Sequence, residues 1–122
     1  MGARILIVED DPDTLRLMEL TLKTAGHEVG LASRGKECLS LIRAESFDLI
    51  LLDIMMPDIS GFDVLRELRA DEVPLPPVVI LTARNRPEDQ EIGLGLGAHS
   101  YLIKPITRGK LVDVINEALG GE

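Results

Sequence analysis

Residues 49–61 read LILLDIMMPDISG. Leu49 to Leu52 form an unbroken apolar run that stops at a carboxylate, Asp53. Continuous rather than alternating hydrophobicity is what a strand shows when both of its faces are covered, as in a parallel sheet. A loop shaped by Pro57 and Gly61 follows, and then Ser60-x-x-Asp63, a capping pattern ahead of Val64, Leu65 and Leu68 at helical spacing. The stretch therefore predicts a buried strand, a loop and a helix, with an acid at the strand's carboxyl end.

The same arrangement recurs on either side. Ile5-Leu6-Ile7-Val8, Val78-Val79-Ile80-Leu81 and Tyr101-Leu102-Ile103 are further short apolar runs. A less apolar candidate around Val29 to Ala32 is expected at a sheet edge. Helical patterns separate them. Leu15, Met18, Leu22 and Ala25 mark one face of the first, with Asp11-Pro12 as cap and first-turn proline and Gly26 as the stop. Cys38, Leu41 and Ile42 mark the second, which puts Cys38 in the core. Leu111, Val112, Ile115, Ala118 and Leu119 mark the last. The fourth, over residues 87–96, is expected to be soft, because Gly93 and Gly95 each cost about 1 kcal/mol relative to Ala in a helix interior. Strand and helix alternate five times. This predicts an α/β fold: an open five-stranded parallel sheet with right-handed crossovers and helices on both faces, one domain over residues 1–122.

Composition narrows the function. With 45% hydrophobic residues the chain is too apolar to be disordered. The 21 acidic residues against 13 Lys and Arg leave a net charge of −8, which argues against direct nucleic-acid contact. A single cysteine excludes a disulfide framework and a multi-cysteine metal site. No apolar run reaches membrane length and no signal-like N-terminus is present, so a cytoplasmic protein without membrane contact is expected. His27 reads as a surface loop residue, His99 as structural, and Met55-Met56 as side chains that pack as well as flank the site after Asp53.

The polar residues that need a reason sit just past the apolar runs. Glu9, Asp10 and Asp11 follow the first, Asp53 the third, Thr82 the fourth and Lys104 the fifth. Open α/β sheets bind ligands outside the carboxyl ends of their strands. Carboxylates without histidine or cysteine favour a hard cation, and Mg²⁺ binds through one or two carboxylates together with phosphate oxygens. A lysine and a hydroxyl beside them suit a phosphoryl group, and a carboxylate can accept one covalently. Neither a Gly-x-x-x-x-Gly-Lys-Ser/Thr loop nor a Gly-x-Gly-x-x-Gly fingerprint occurs, so no nucleotide site is expected.

At these residues the sequence resembles the receiver domains of two-component response regulators, chemotaxis receivers among them. The matching stretches are Ile5–Asp11 (ILIVEDD), Asp53–Gly61 (DIMMPDISG), Leu81-Thr82-Ala83 and Tyr101–Pro105 (YLIKP), and the likeness covers essentially the whole chain. It implies a three-layer flavodoxin-like (βα)5 fold with strand order 2-1-3-4-5. It also implies phosphorylation of Asp53 by a histidine kinase or histidine phosphotransfer protein, with Mg²⁺ (or Mn²⁺) held by Asp10, Asp53 and the Met55 backbone carbonyl, and by Glu9 through a water. Thr82 and Lys104 would contact the phosphoryl group, and Tyr101 would be the aromatic rotor of the switch. Met55 and Arg84 occupy positions that tune phosphoryl lifetime, and neither is a water-positioning acid or amide, which implies slow or moderate self-hydrolysis. A downstream effector domain or protein is implied as partner. A phosphorylation-dependent dimer would use the fourth-helix to fifth-helix face. His99-Ser100 and Pro105-Ile106 depart from the acidic pair and Pro-Phe of many transcription-factor receivers, and with them from the salt-bridged dimer.

Two other functions compete on the residues. A phosphatase of the haloacid dehalogenase type needs a second acid two residues after its nucleophile, where this chain has Met55. A non-phosphorylated protein-interaction scaffold on the same fold would usually have lost an acid or the lysine, and here the set is complete. The expectation is a switch that catalyses only its own phosphoryl transfer and slow self-dephosphorylation, not an enzyme acting on outside substrates.

Overall fold

The computed structural model describes residues 2–83 and 86–120. Ten elements follow in strict alternation: β1 (Arg4–Val8), α1 (Pro12–Thr24), β2 (Glu28–Ala32), α2 (Gly35–Ala44), β3 (Leu49–Asp53), α3 (Gly61–Ala70), β4 (Val78–Thr82), α4 (Pro87–Gly95), β5 (Ser100–Ile103) and α5 (Arg108–Ala118). All strand pairs are parallel and the order is β2-β1-β3-β4-β5. This is the flavodoxin-like arrangement, with the weak strand at an edge as its lower apolar content requires.

Successive strand residues face opposite sides of a sheet, and the core divides accordingly. Leu6 and Val8, Ile50 and Leu52, and Val78 and Ile80 meet α2 and α3 through Cys38, Ile42, Val64, Leu65 and Leu68. Ile5 and Ile7, Leu49 and Leu51, and Val79 and Leu81 meet α1 and α5 through Met18, Leu22, Leu111 and Ile115. Every residue of β3 and β4 is buried, as the unbroken runs predict. Each fully buried Leu or Ile contributes about 1.5–3 kcal/mol relative to exposure.

Helix starts follow the local chemistry. The Asp11 carboxylate accepts from Thr14 N at 3.0 Å, and Ser60 Oγ accepts from Asp63 N at 3.1 Å. Four details differ from the sequence reading. In β5 only Leu102 is buried, because the strand lies at the other edge and one side of Tyr101 and Ile103 is uncovered. Ala25 caps α1 and is exposed instead of joining its buried face, since the chain turns away at Gly26 with φ +93°. His27 is half-buried at the start of β2, where Nδ1 accepts from Ala3 N at 2.9 Å. Met55, expected to pack beside the site, is 58% exposed, while Met56 lies against the core.

Candidate functional site

The carboxyl ends of β1, β3, β4 and β5 lie side by side. Val8 pairs with Leu52, so the next residues, Glu9 and Asp53, sit level with one another. Asp53 in turn pairs with Leu81, which places Thr82 one step higher. Thr82 pairs with Ile103, and Lys104 N donates to Thr82 O at 2.8 Å. Sheet register thus collects Glu9, Asp53, Thr82 and Lys104 without any long excursion of the chain. The Lys104–Pro105 peptide is cis.

Glu9, Asp53 and Thr82 are buried, Lys104 is half-buried and Asp10 is exposed. Lys104 Nζ lies 2.8 Å from Glu9 Oε1 and donates to Asp53 Oδ2 at 3.0 Å. Met55 N donates to Asp53 Oδ1 at 3.1 Å, and Asp11 N donates to Glu9 Oε2 at 3.1 Å. Burial pushes the Glu9 carboxyl up to about 7, opposed by the Lys104 ammonium and reinforced by the neighbouring Asp53. Burial lowers the Lys104 ammonium, but its bonds to Glu9 and Asp53 outweigh this and the net shift is upward.

One carboxylate oxygen each from Glu9, Asp10 and Asp53 lies within 4.8 Å of the others. Glu9 Oε1 is buried with no aligned hydrogen bond, although the lysine is at ion-pair distance. Three acids close together and a buried oxygen with spare acceptor capacity fit a small divalent cation that prefers oxygen ligands. The donor set holds no nitrogen or sulfur of the kind that transition metals favour.

The loop after Asp53 is fixed by two features. A Cβ on Gly61 would lie 2.4 Å from the Asp53 carbonyl oxygen, so no side chain fits there, and Gly61 N donates to Ile54 O at 2.8 Å. The Asp58 carboxylate accepts from Gly35 N and Lys36 N, each at 2.9 Å. It caps α2 from a distant part of the chain, because Arg34 at the cap position supplies no side-chain bond. These backbone donors, Lys36 N foremost, hold the Asp58 carboxyl down at about 2. A search for local caps cannot find it.

Tyr101 lies apart from the acids. Its hydroxyl donates to the carbonyls of Asp89 at 2.5 Å and Gln90 at 3.1 Å, on the first turns of α4. A Cβ on Gly93 would stand 2.0 Å from that hydroxyl oxygen. Gly93 therefore makes room for the tyrosine, a reason the sequence did not disclose. Burial raises the phenol above its ordinary value. Arg84 lies outside the described residues.

The profile of the response regulator receiver domain matches residues 5–116, nearly the whole chain. The chain belongs to the response regulator receiver domain family. Protein PilH of Pseudomonas aeruginosa is 38% identical over 120 residues, covering 98% of this chain and 99% of that protein. Transcriptional regulatory protein AfsQ1 of Streptomyces coelicolor is 41% identical over 110 residues, covering 89% of this chain but 47% of that protein. The chain thus spans about half the length of AfsQ1 and of other regulatory relatives such as MtrA of Mycolicibacterium smegmatis, where the share is 48%. A CheY-like receiver domain from Methanospirillum hungatei superposes with a TM-score of 0.91 at 32% identity, covering 98% of this chain and 95% of the other. The chemotaxis receiver CheY4 of Vibrio cholerae gives 0.90 at 29% identity, with 97% and 99% covered. The chain is a receiver domain of two-component response regulators, a family that generally binds Mg²⁺. Among the described residues no helix is long and apolar enough to cross a membrane.

Proposed function

We propose that Asp53 is the phosphoacceptor of a phosphorelay and that the acids around it hold the divalent cation the transfer requires. The observation that carries this reading is the pairing of a buried Asp53 with Lys104 at 3.0 Å beside a three-carboxylate cluster, at the carboxyl edge of the sheet. In the transfer, an Asp53 carboxylate oxygen attacks phosphorus and an O–P bond forms. The N–P bond of a phosphohistidine breaks, its electron pair stays on the imidazole nitrogen, and that nitrogen takes a proton from water.

Asp10, Asp53 and the Met55 backbone carbonyl would ligate Mg²⁺, or Mn²⁺ in its place, with Glu9 acting through a water. When bound, the cation neutralises charge on the phosphoryl oxygens and aligns the attacking carboxylate. The remaining steps belong to the chain. Lys104 already sits between Glu9 and Asp53, so modification of Asp53 exchanges its carboxylate partner for phosphoryl oxygens. Thr82, one residue beyond the level of Asp53, donates its hydroxyl to the same group. The pull on β4 and β5 then shifts a pre-existing equilibrium that includes Tyr101 and α4.

The donor would be a histidine kinase or histidine phosphotransfer protein, and the recipient of the signal an effector domain or protein. An exposed Met55 in place of a second acid suits a switch and not turnover of outside substrates. Met55 and Arg84 predict slow or moderate self-hydrolysis, which a phosphoryl half-life of seconds would contradict. A dimer, where one forms, would use the α4–α5 face; the chain itself contacts neither nucleic acid nor membrane and acts in the cytoplasm.

Intact mass after incubation with acetyl phosphate and Mg²⁺ tests the reading. A lasting gain of one phosphoryl group in wild type and none in Asp53→Ala supports it. No gain in wild type would favour the interaction scaffold.

A further inference from the structure

The helix α4 has little of its own to hold it on the sheet. Its single buried residue is Gly93, and Ile92 and Leu94 are exposed. It carries two glycines, no side-chain N-cap bond and no basic residue in its last turn. Side chains from elsewhere supply the missing restraints. At its first turns Tyr101, from β5, donates to the Asp89 and Gln90 carbonyls. Just past its last turn Arg69, from α3, donates through Nε to Leu96 O at 2.9 Å, and its Nη2 lies 3.4 Å from Gly97 O.

The fit at Arg69 is close. Gly97 turns with φ +88°, and a Cβ there would meet Nη2 at 2.4 Å and Cζ at 3.0 Å. The guanidinium therefore covers a patch of backbone that only glycine leaves open. The carbonyls at a helix C-terminus carry partial negative charge, and a cation beside them is favourable. Most helices obtain that cation from their own last turn, as α1 does from Lys23 and α3 from Arg69 itself. For α4 it comes from the neighbouring helix.

We propose that Arg69 is a positioning residue for α4, a clasp at its C-terminal end that works together with Tyr101 at its N-terminal end. With both engaged, α4 stays on the sheet despite its weak apolar face. Loss of the Tyr101 contact alone leaves it hinged at Arg69, so α4 swings about its C-terminal end and does not detach. The alternative is that the local bonds ending α4, Gly97 N to Leu94 O at 3.0 Å and Ala98 N to Gly93 O at 2.9 Å, suffice without the arginine.

Native-state hydrogen exchange over residues 87–99 separates the two. Arg69→Ala should exchange there roughly three- to tenfold faster than wild type, the range for an exposed, charge-assisted bond to backbone. Arg69→Lys, with one point charge in place of a fork, should fall between them. Arg66→Ala, which removes an exposed arginine whose ion-pair partner among the described residues is Asp63 of the same helix, should leave α4 at the wild-type rate. Unchanged exchange in Arg69→Ala overturns the clasp, as does acceleration shared equally by β1 and β3, which would mean general loss of stability. That phosphorylation of Asp53 releases the Tyr101 contact rests on the proposed function, and its failure is distinguishable. If Arg69→Ala frees α4 while acetyl phosphate with Mg²⁺ leaves wild-type α4 exchange unchanged, the clasp stands and the switch falls. If acetyl phosphate with Mg²⁺ moves wild-type α4 while Arg69→Ala leaves its exchange unchanged, the clasp falls and the switch stands.

Discussion

Gly93 and Gly95 lie two residues apart on one short helix, and replacing each by alanine should have opposite effects. A Cβ on Gly95 meets nothing within 4 Å, so Gly95→Ala adds helix propensity at no steric cost. Near a helix end that gain is about 0.5–1 kcal/mol. A Cβ on Gly93 would stand 2.0 Å from the Tyr101 hydroxyl oxygen and 2.8 Å from Cζ. Ordinary contact needs roughly 3.5 Å, so the ring tip must retreat by about 1.5 Å. That breaks its bonds to the Asp89 and Gln90 carbonyls. Losing the hydroxyl's bonding costs about 1 kcal/mol. Losing the half-buried ring's packing costs on the order of another 1 kcal/mol. Set against the propensity gain, Gly93→Ala should destabilise by about 1 kcal/mol, a gap of about 2 kcal/mol between the two variants. Urea unfolding followed by circular dichroism measures the gap. Tyr101 is the only tyrosine and there is no tryptophan, so intrinsic emission reports that ring alone. Emission should change in folded Gly93→Ala and stay as in wild type in Gly95→Ala. In a Tyr101→Ala background the two substitutions should become equally favourable. If Gly93→Ala stabilises as much as Gly95→Ala with Tyr101 present, the reasoning is wrong.

Two further outcomes follow from the site. Asp10→Asn should weaken Mg²⁺ binding by at least about tenfold, since it removes a charged oxygen from a three-acid cluster. Saturating Mg²⁺ should raise the unfolding free energy of wild type by about 2.7 kcal/mol at a hundred times its Kd, and that of Asp10→Asn far less at the same concentration; equal stabilisation would remove Asp10 from the ligand set. The Asp58 carboxyl is held at about 2 against an ordinary 3.8, so its stabilising effect is complete above the higher value and lost as pH falls through the lower. Wild type should therefore lose stability on acidification more steeply across that window than Asp58→Ala, as read from urea midpoints at a series of pH values. Parallel curves would mean that the Asp58 carboxylate does not cap α2.

The sheet was legible because a strand covered on both faces must be apolar throughout. Ile5–Val8, Leu49–Leu52 and Val78–Leu81 declared themselves that way, and the weaker run at Val29–Ala32 declared an edge. The site was legible for a related reason: acids, a hydroxyl and a lysine at the ends of such runs have no packing duty. The other edge was harder to see. Tyr101-Leu102-Ile103 is as apolar as a central strand, yet only Leu102 is covered, and no single strand carries the order of its neighbours. What escaped the sequence is tertiary. Asp58 caps a helix 22 residues before it in the chain, and Arg69 reaches carbonyls 27 residues after it, separations at which local patterns carry no signal. Gly93 read as a flaw in a helix because the ring that needs its space comes from a different strand. Met55 was expected to pack beside the site together with Met56, and it is exposed while Met56 alone lies against the core.

The central claim concerns a single carboxylate. After incubation with acetyl phosphate and Mg²⁺, borohydride reduces an aspartyl phosphate to homoserine, and tandem mass spectrometry locates the altered residue. Conversion at position 53 and at no other acid is the predicted result. Conversion at Glu9 or Asp10 with Asp53 intact, or at no residue of the chain, would contradict it.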